Sequence, residues 1–245
     1  KLGFDKITKK LKNIFADILT DTGGYAGHGS TVAELAALKI ATLYPAPNVK
    51  VKIKVICTNK APAGAFRGYG IPQVMFALES LIDRAAKEIN SAPDEIRMLN
   101  HIKAGDRLPI ETLFVKPYNP GEIINTCALD ELITIGKQKI DWQNRRVSKN
   151  KEIITAKGMA ITMQGSGIAN ITRSTVTVSL NEDGSVQILS GAVDVGAGAD
   201  TVLLQIAGNI LHLPINKMHL ITADTAITPF DSGAYASNTT YFAGA

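Results

Sequence analysis

The stretch Gly64-Ala65-Phe66-Arg67-Gly68-Tyr69-Gly70-Ile71-Pro72-Gln73 decides how the rest of this sequence is read. Its closely spaced glycines permit positive φ and let a ligand approach the main chain. Arg67 adjoins Phe66 and lies two residues from Tyr69, so the loop can offer a planar cation and aromatic faces to a flat or anionic partner. A solvent-facing arginine on a plain strand-to-helix turn reads equally well from these residues alone. Just upstream, Lys50 to Ile56 alternates lysine with valine or isoleucine. That pattern predicts a strand with one wet face, its lysines solvated. Just downstream, Pro72 suits a first helical turn, and Met75, Leu78, Ile82 and Ala86 recur at helical spacing. Glu79 and Asp83 flank that stripe and read as surface charges.

Further towards the N-terminus, residues 14–20 read as a strand and Asp21 to Gly29 as a glycine-rich loop, with His28 a solvated loop histidine. Thr31 to Leu43 reads as a helix stopped by Pro45 and Pro47. Beyond the arginine helix, a second helix is expected to start at the N-cap Ser91 and close at Gly105. Pro109, Pro117, Pro120 and Gly121 then mark a linker. The expected organisation is one domain part over 1–108, a linker over 109–125 and a second domain part over 126–245. In the second part, residues 128–143 read as a short helix, and Lys137 to Lys157 as basic solvated surface. Strands are expected over 159–164, 171–180, 185–195 and 217–222, with the turn Asn181-Glu182-Asp183-Gly184 between two of them.

Two later stretches carry chemistry. Asp194-Val195-Gly196-Ala197-Gly198-Ala199-Asp200-Thr201 leads from a strand to a helix over 202–212. Free N–H groups and the positive end of a helix dipole there suit an anion, to which Thr201 could add a hydroxyl. The plainer reading is an Asp200 N-cap with glycines serving the turn. The stretch is neither a Walker A loop nor a dinucleotide GxGxxG. The second stretch, Ala236-Ser237-Asn238-Thr239-Thr240, places hydroxyls before a helix and suits phosphate or pterin hydrogen bonding, or a simple cap.

Composition excludes several classes. A net charge of +4 with no aromatic-interleaved Lys/Arg run argues against nucleic acid. No run of about 18 apolar residues occurs, so no membrane span is expected. Cys57 and Cys127 lack the spacing of a zinc or iron–sulfur site, and a reducing, cytoplasmic setting is the default. Both ends read as cut, which suggests a piece of a longer chain.

Four stretches resemble the large, molybdenum-cofactor-binding subunit of the molybdenum hydroxylases, the xanthine dehydrogenase/aldehyde oxidase family. They are Asp21 to Tyr25, Ala65 to Gln73, Gly196 to Thr201 with Gln205, and Asp224-Thr225 with Ala236 to Thr240. The resemblance implies an α+β fold: parts of two molybdenum-cofactor-binding domains, mixed sheets with packed helices. It implies molybdopterin, in its cytosine dinucleotide form, holding molybdenum through the pterin with no metal ligand from this chain. It implies partners carrying [2Fe-2S] centres and FAD, together with the rest of the large subunit and a small-molecule substrate. Arg67 would be the catalytic residue, beside the metal's oxo face. Ala65, Phe66 and Gly68 would frame the cofactor, and Tyr69 would take the place of a substrate-stacking phenylalanine. Gly196, Ala197, Gly198, Thr201, Ser237, Asn238 and Thr240 would hold the pterin and its phosphates, with Ala236 close to the metal.

This sequence departs from the family pattern at several positions. Ala197 replaces a glutamine, Asn238 an arginine and Tyr69 a phenylalanine; Leu35 stands where purine oxidases carry a substrate-binding arginine. Leu35 points away from purines, and the tail of the stretch most resembles the branch acting on aromatic acids, aromatic acyl-CoA thioesters and N-heteroaromatics; an aldehyde is the further substrate class the resemblance implies. A family glycine-rich loop and the glutamate that serves as base are not among these residues. A non-catalytic cofactor-binding or assembly module is therefore the alternative reading.

Overall fold

The computed structural model describes residues 1–108, 123–144, 146–147, 152–153, 155–165 and 172–245. Most of the expected linker, the first residue of the expected strand at 171 and parts of the basic stretch lie outside them. The chain forms two compact units, Lys1–Gln164 and Gly165–Ala245.

The first unit is built on a three-stranded mixed sheet: β1 (Leu2–Phe4), β2 (Leu11–Asp21) and β3 (Asn48–Ile56), in that order. β1 runs antiparallel to β2, and β2 parallel to β3 with Phe15 opposite Lys50. The parallel pair needs a crossover, which α1 (Gly29–Leu43) supplies. The expected alternation holds: Lys50, Lys52 and Lys54 are exposed, while Val51, Ile53 and Val55 are half-buried. Two further helices, α2 (Ile71–Glu88) and α3 (Pro93–Asn100), complete the core with Met75, Leu78, Ile82 and Ile96. α3 stops at Asn100 rather than near Gly105, because His101 turns extended and its Nδ1 lies 2.6 Å from the Ile102 carbonyl.

Two expectations are corrected in this core. Glu79 is not a surface charge. It is buried, accepting from Tyr44 Oη at 2.6 Å, Arg97 Nε at 2.7 Å and the Ile161 backbone N–H at 2.9 Å. Arg97 is wholly buried and also donates to Asp83 and to the Pro93 carbonyl, both at 2.8 Å. Burial works against the Arg97 charge, but Glu79, with Asp83 and Tyr44, outweighs it and holds the guanidinium above its usual pKa. Burial, then Glu79, push the Tyr44 phenol up. Residues 159–164 are not a strand, because the Ile161 N–H goes to a carboxylate instead of a ladder partner.

The same unit takes in α4 (Leu129–Lys139), whose Ile133 joins the core. Lys137 is not simply solvated: it pairs with buried Asp94 at 2.5 Å, and Trp142 Nε1 donates to Asp94 at 2.9 Å. A short ladder pairs β4 (Arg146–Val147) with β5 (Thr155–Ala156).

The second unit repeats the first plan. The antiparallel hairpin β6 (Val176–Leu180) and β7 (Val186–Ser190) is followed by α5 (Ala199–Leu211), then by β8 (Met218–Thr222) parallel to β7. Val186, Ile188 and Met218 form its buried centre. α6 (Thr239–Ala243) closes it, Ala243 packing with Ala192 and Leu203.

Candidate functional site

In each unit the candidate loops leave the carboxyl ends of the parallel strand pair. In the first, β2 runs into the Asp21–His28 loop and β3 into the arginine loop. In the second, β7 runs into the glycine turn before α5, and β8 leads on to the 236–240 stretch. Ligands of open α/β sheets gather at such strand ends.

The two loops of the first unit are zipped together. Gly24 N–H donates to the Lys60 carbonyl, Thr58 N–H to Gly23 and Ala63 N–H to Thr22, each at 3.0 Å. Asp21 gathers Gly23 N–H at 2.9 Å and Thr58 Oγ1 at 2.8 Å, and the Gly23 N–H, followed by Thr58, holds its carboxyl below the usual range.

The arginine loop then makes a sharp turn. Gly68, Tyr69 and Gly70 all have positive φ, at 94°, 50° and 83°. Gly70 is obligatory for a second reason: a Cβ there would sit 2.8 Å from the Val32 carbonyl and 3.2 Å from Ala36 Cβ, so the backbone rests on α1. Tyr69 is half-buried and its hydroxyl is fully engaged, 2.7 Å from His28 Nδ1 and 2.7 Å from Thr31 Oγ1. His28 is exposed as expected, but as the partner of Tyr69 rather than a solvated bystander. Phe66 is 83% exposed and Arg67 is exposed, its guanidinium free of any hydrogen bond or ion pair among the described residues. Ala65 is exposed beside them. The loop therefore fits an anionic or flat ligand: a fixed backbone, an unspent planar cation and an aromatic face.

The glycine turn of the second unit is different. Asp194 Oδ1 accepts the N–H groups of Gly196 at 2.8 Å, Ala197 at 2.9 Å and Gly198 at 3.1 Å. Asp194 thus closes the turn ahead of α5, whose N-cap is Gly198 with φ 77° rather than Asp200 and carries no side-chain cap hydrogen bond. The N–H groups of the glycine turn are occupied by this chain's own anion; they precede α5, whose first turn begins at Ala199, and the Thr201 side chain is exposed. The Gly196 N–H, followed by Gly198 and Ala197, keeps the Asp194 carboxyl below its ordinary pKa. Because the folded value is the lower one, this stabilisation is complete above the ordinary carboxylate range of about 4 and is lost as pH falls through the folded value. Amide exchange at Gly196, Ala197 and Gly198 is therefore expected to accelerate selectively below about pH 4. Unchanged protection of these amides through an acid titration would refute the assignment.

The 236–240 stretch brings Ala236 and Ser237 together in consecutive left-handed conformations, φ 51° and 53°. Ser237 and Thr240 are exposed and Ala236 half-buried, whereas Asn238 is buried. No group of three or more metal-ligating side chains occurs among the described residues, and no described helix is long and apolar enough to cross a membrane. Sequence reasoning missed Asp194, Thr31 and His28. An Asx pattern ahead of the glycines was the available signal for Asp194; no local signal marks the other two.

Models of the molybdopterin cofactor-binding domain match residues 1–101 and residues 135–245. The chain belongs to the molybdenum hydroxylase (xanthine dehydrogenase/aldehyde oxidase) family. It is 34% identical over 239 residues to the xanthine dehydrogenase molybdenum-binding subunit of Escherichia coli O157:H7, covering 95% of this chain and 31% of that one. Aldehyde oxidase 3 of Rattus norvegicus is 27% identical over 223 residues, 90% of this chain and 16% of that protein. The aldehyde oxidoreductase structure from Desulfovibrio desulfuricans superposes with a TM-score of 0.79 at 27% identity, over 96% of this chain and 25% of that one. The chain thus spans about a third or less of the relatives it matches.

Proposed function

We propose that this chain is the cofactor-binding part of a molybdenum hydroxylase large subunit. The complete enzyme oxidises an aromatic acid, an aromatic acyl-CoA thioester, an N-heteroaromatic compound or an aldehyde, with water as the oxygen source. The observation that carries this reading is the arginine loop, held rigid on α1 with the Arg67 guanidinium unspent. When bound, the molybdenum–pterin group, in its cytosine dinucleotide form, supplies the two-electron and oxygen-transfer chemistry. Arg67 would stabilise negative charge developing on the substrate, which a preorganised donor does without reorganising. Ala65, Phe66 and Gly68 frame the pterin, and Tyr69 stacks on the substrate. Ala236, Ser237, Asn238 and Thr240 are further cofactor-binding residues. Gly196, Ala197 and Gly198 bind the cofactor through their N–H groups only where Asp194 gives way, whereas the exposed hydroxyl of Thr201 is free to donate.

In sequence the proposed domain parts are 1–108 and 126–245, joined at 109–125, although residues up to Gln164 belong to the first compact unit. Electrons leave to [2Fe-2S] and FAD partners, and the enzyme works in the cytoplasm. A purine substrate is the second reading, favoured by the 34% identity to a xanthine dehydrogenase subunit; Leu35, in place of a cationic purine anchor, weighs against it.

The test is to purify the assembled enzyme, measure molybdenum and pterin, and follow substrate-dependent reduction of its chromophores. Bound molybdenum with reduction by an aldehyde or N-heteroaromatic is the expected result. Reduction by xanthine alone would establish the purine reading. Bound cofactor with no reduction by any substrate would leave the non-catalytic module.

A further inference from the structure

The hydrogen bonds around Tyr69 close in one polarity only. Thr31 Oγ1 lies 3.1 Å from the His28 carbonyl, which can only accept and also takes the Val32 N–H at 3.0 Å; making all three side-chain bonds at once directs the single threonine hydroxyl hydrogen there. Thr31 must then accept from Tyr69 Oη at 2.7 Å, which spends the phenol hydrogen. His28 Nδ1, also 2.7 Å from Tyr69 Oη, must therefore be the donor. The imidazole is fixed with its hydrogen on Nδ1 and stands edge-on to the phenol ring, the ring planes 81° apart. A tyrosine with positive φ between two positive-φ glycines is thus held at its far end by the first turn of α1 and the residue before it.

We propose that His28 and Thr31 are positioning residues that consume the Tyr69 hydroxyl, so that Tyr69 presents a substrate with its ring face and no hydrogen-bond donor. This rests on the reading of Tyr69 as the substrate-stacking residue. The extra hydroxyl relative to the family's phenylalanine is then absorbed by α1, and selectivity follows ring shape and apolarity rather than an acceptor on the substrate.

Two measurements test this separately. On the full chain labelled with [15N]histidine, in mildly alkaline buffer, ring-nitrogen shifts report the position of the imidazole hydrogen. His28 is expected in the Nδ1–H form in the native chain and in Thr31→Ser, which keeps the hydroxyl. Thr31→Val leaves the phenol hydrogen free to turn to Nδ1 and should move His28 to the Nε2–H form. A native Nε2–H form, or no change in Thr31→Val, overturns the hydrogen-bond assignment whatever the enzyme does. In the molybdenum-loaded complete enzyme, Tyr69→Phe is expected to lower kcat/KM alike for ring substrates with and without an edge acceptor, their ratio staying within about twofold. A ratio that shifts by about tenfold or more means the hydroxyl donates to substrate and overturns the proposal. An enzyme that oxidises neither substrate refutes the functional reading, while the nitrogen shifts still decide the positioning one.

Discussion

Arg97→Ala is expected to lower the stability of the first unit by about 3–5 kcal/mol, the cost typical of removing one partner of a buried ion pair. The variant strands Glu79 inside the core, still facing Tyr44 and the Ile161 N–H but with no cation to match its charge. The penalty is that of an uncompensated buried carboxylate, which exceeds the lost Arg97 contacts themselves. Asp83 loses a partner too, but its side chain is 52% exposed and water replaces the guanidinium cheaply. Urea unfolding should show a lower midpoint for Arg97→Ala, with Asp83→Asn close to wild type. The paired replacement Glu79→Gln with Arg97→Met should recover part of the loss, since no bare charge remains. If Arg97→Ala unfolds at the wild-type midpoint, the carboxylate is hydrated in solution and the network does not hold the core.

The second large effect is on turnover. In the complete enzyme at equal molybdenum content, Arg67→Lys is expected to lower kcat by roughly two to three orders of magnitude, the usual cost of removing one preorganised donor. Lysine keeps the charge but offers a point donor on a flexible stem in place of a planar fork. The surrounding loop cannot shift to compensate, because Gly70 is packed on Val32 and Ala36 and Tyr69 is tied to α1. Arg67→Lys turning over within a few-fold of wild type would remove Arg67 from the chemistry.

Much of the fold was legible because it is written locally. Lysine alternation in β3, the apolar stripe of α2 and the Asn181–Gly184 turn each announce themselves within a few residues. The errors in the first core share one cause, a partner distant in sequence. Glu79 looks like a surface charge until Arg97, 18 residues on, and Ile161, 82 residues on, arrive at it. Met159 to Gln164 has strand composition, yet its key N–H is claimed by that carboxylate. The repeated plan of the two units was hidden because different residues build the two sheets. At the candidate site the arginine motif and both glycine-rich loops were visible. What was not visible is how the loops spend their hydrogen bonds: Asp194 filling its own turn, and Tyr69 closing on His28 and Thr31.

The Glu79 cluster also orders events during synthesis. Helices α1, α2 and α3 leave the ribosome with Tyr44, Glu79 and Arg97 in place, but the third donor to the carboxylate is made only when residue 161 emerges. Domains fold largely as units while the chain is still growing. Here the first unit reaches its final state only after the whole of α4 and the residues beyond it have been translated. Until then the core is nearly finished, with an acidic side chain one hydrogen bond short and the apolar surface under Met159 and Ile161 still open.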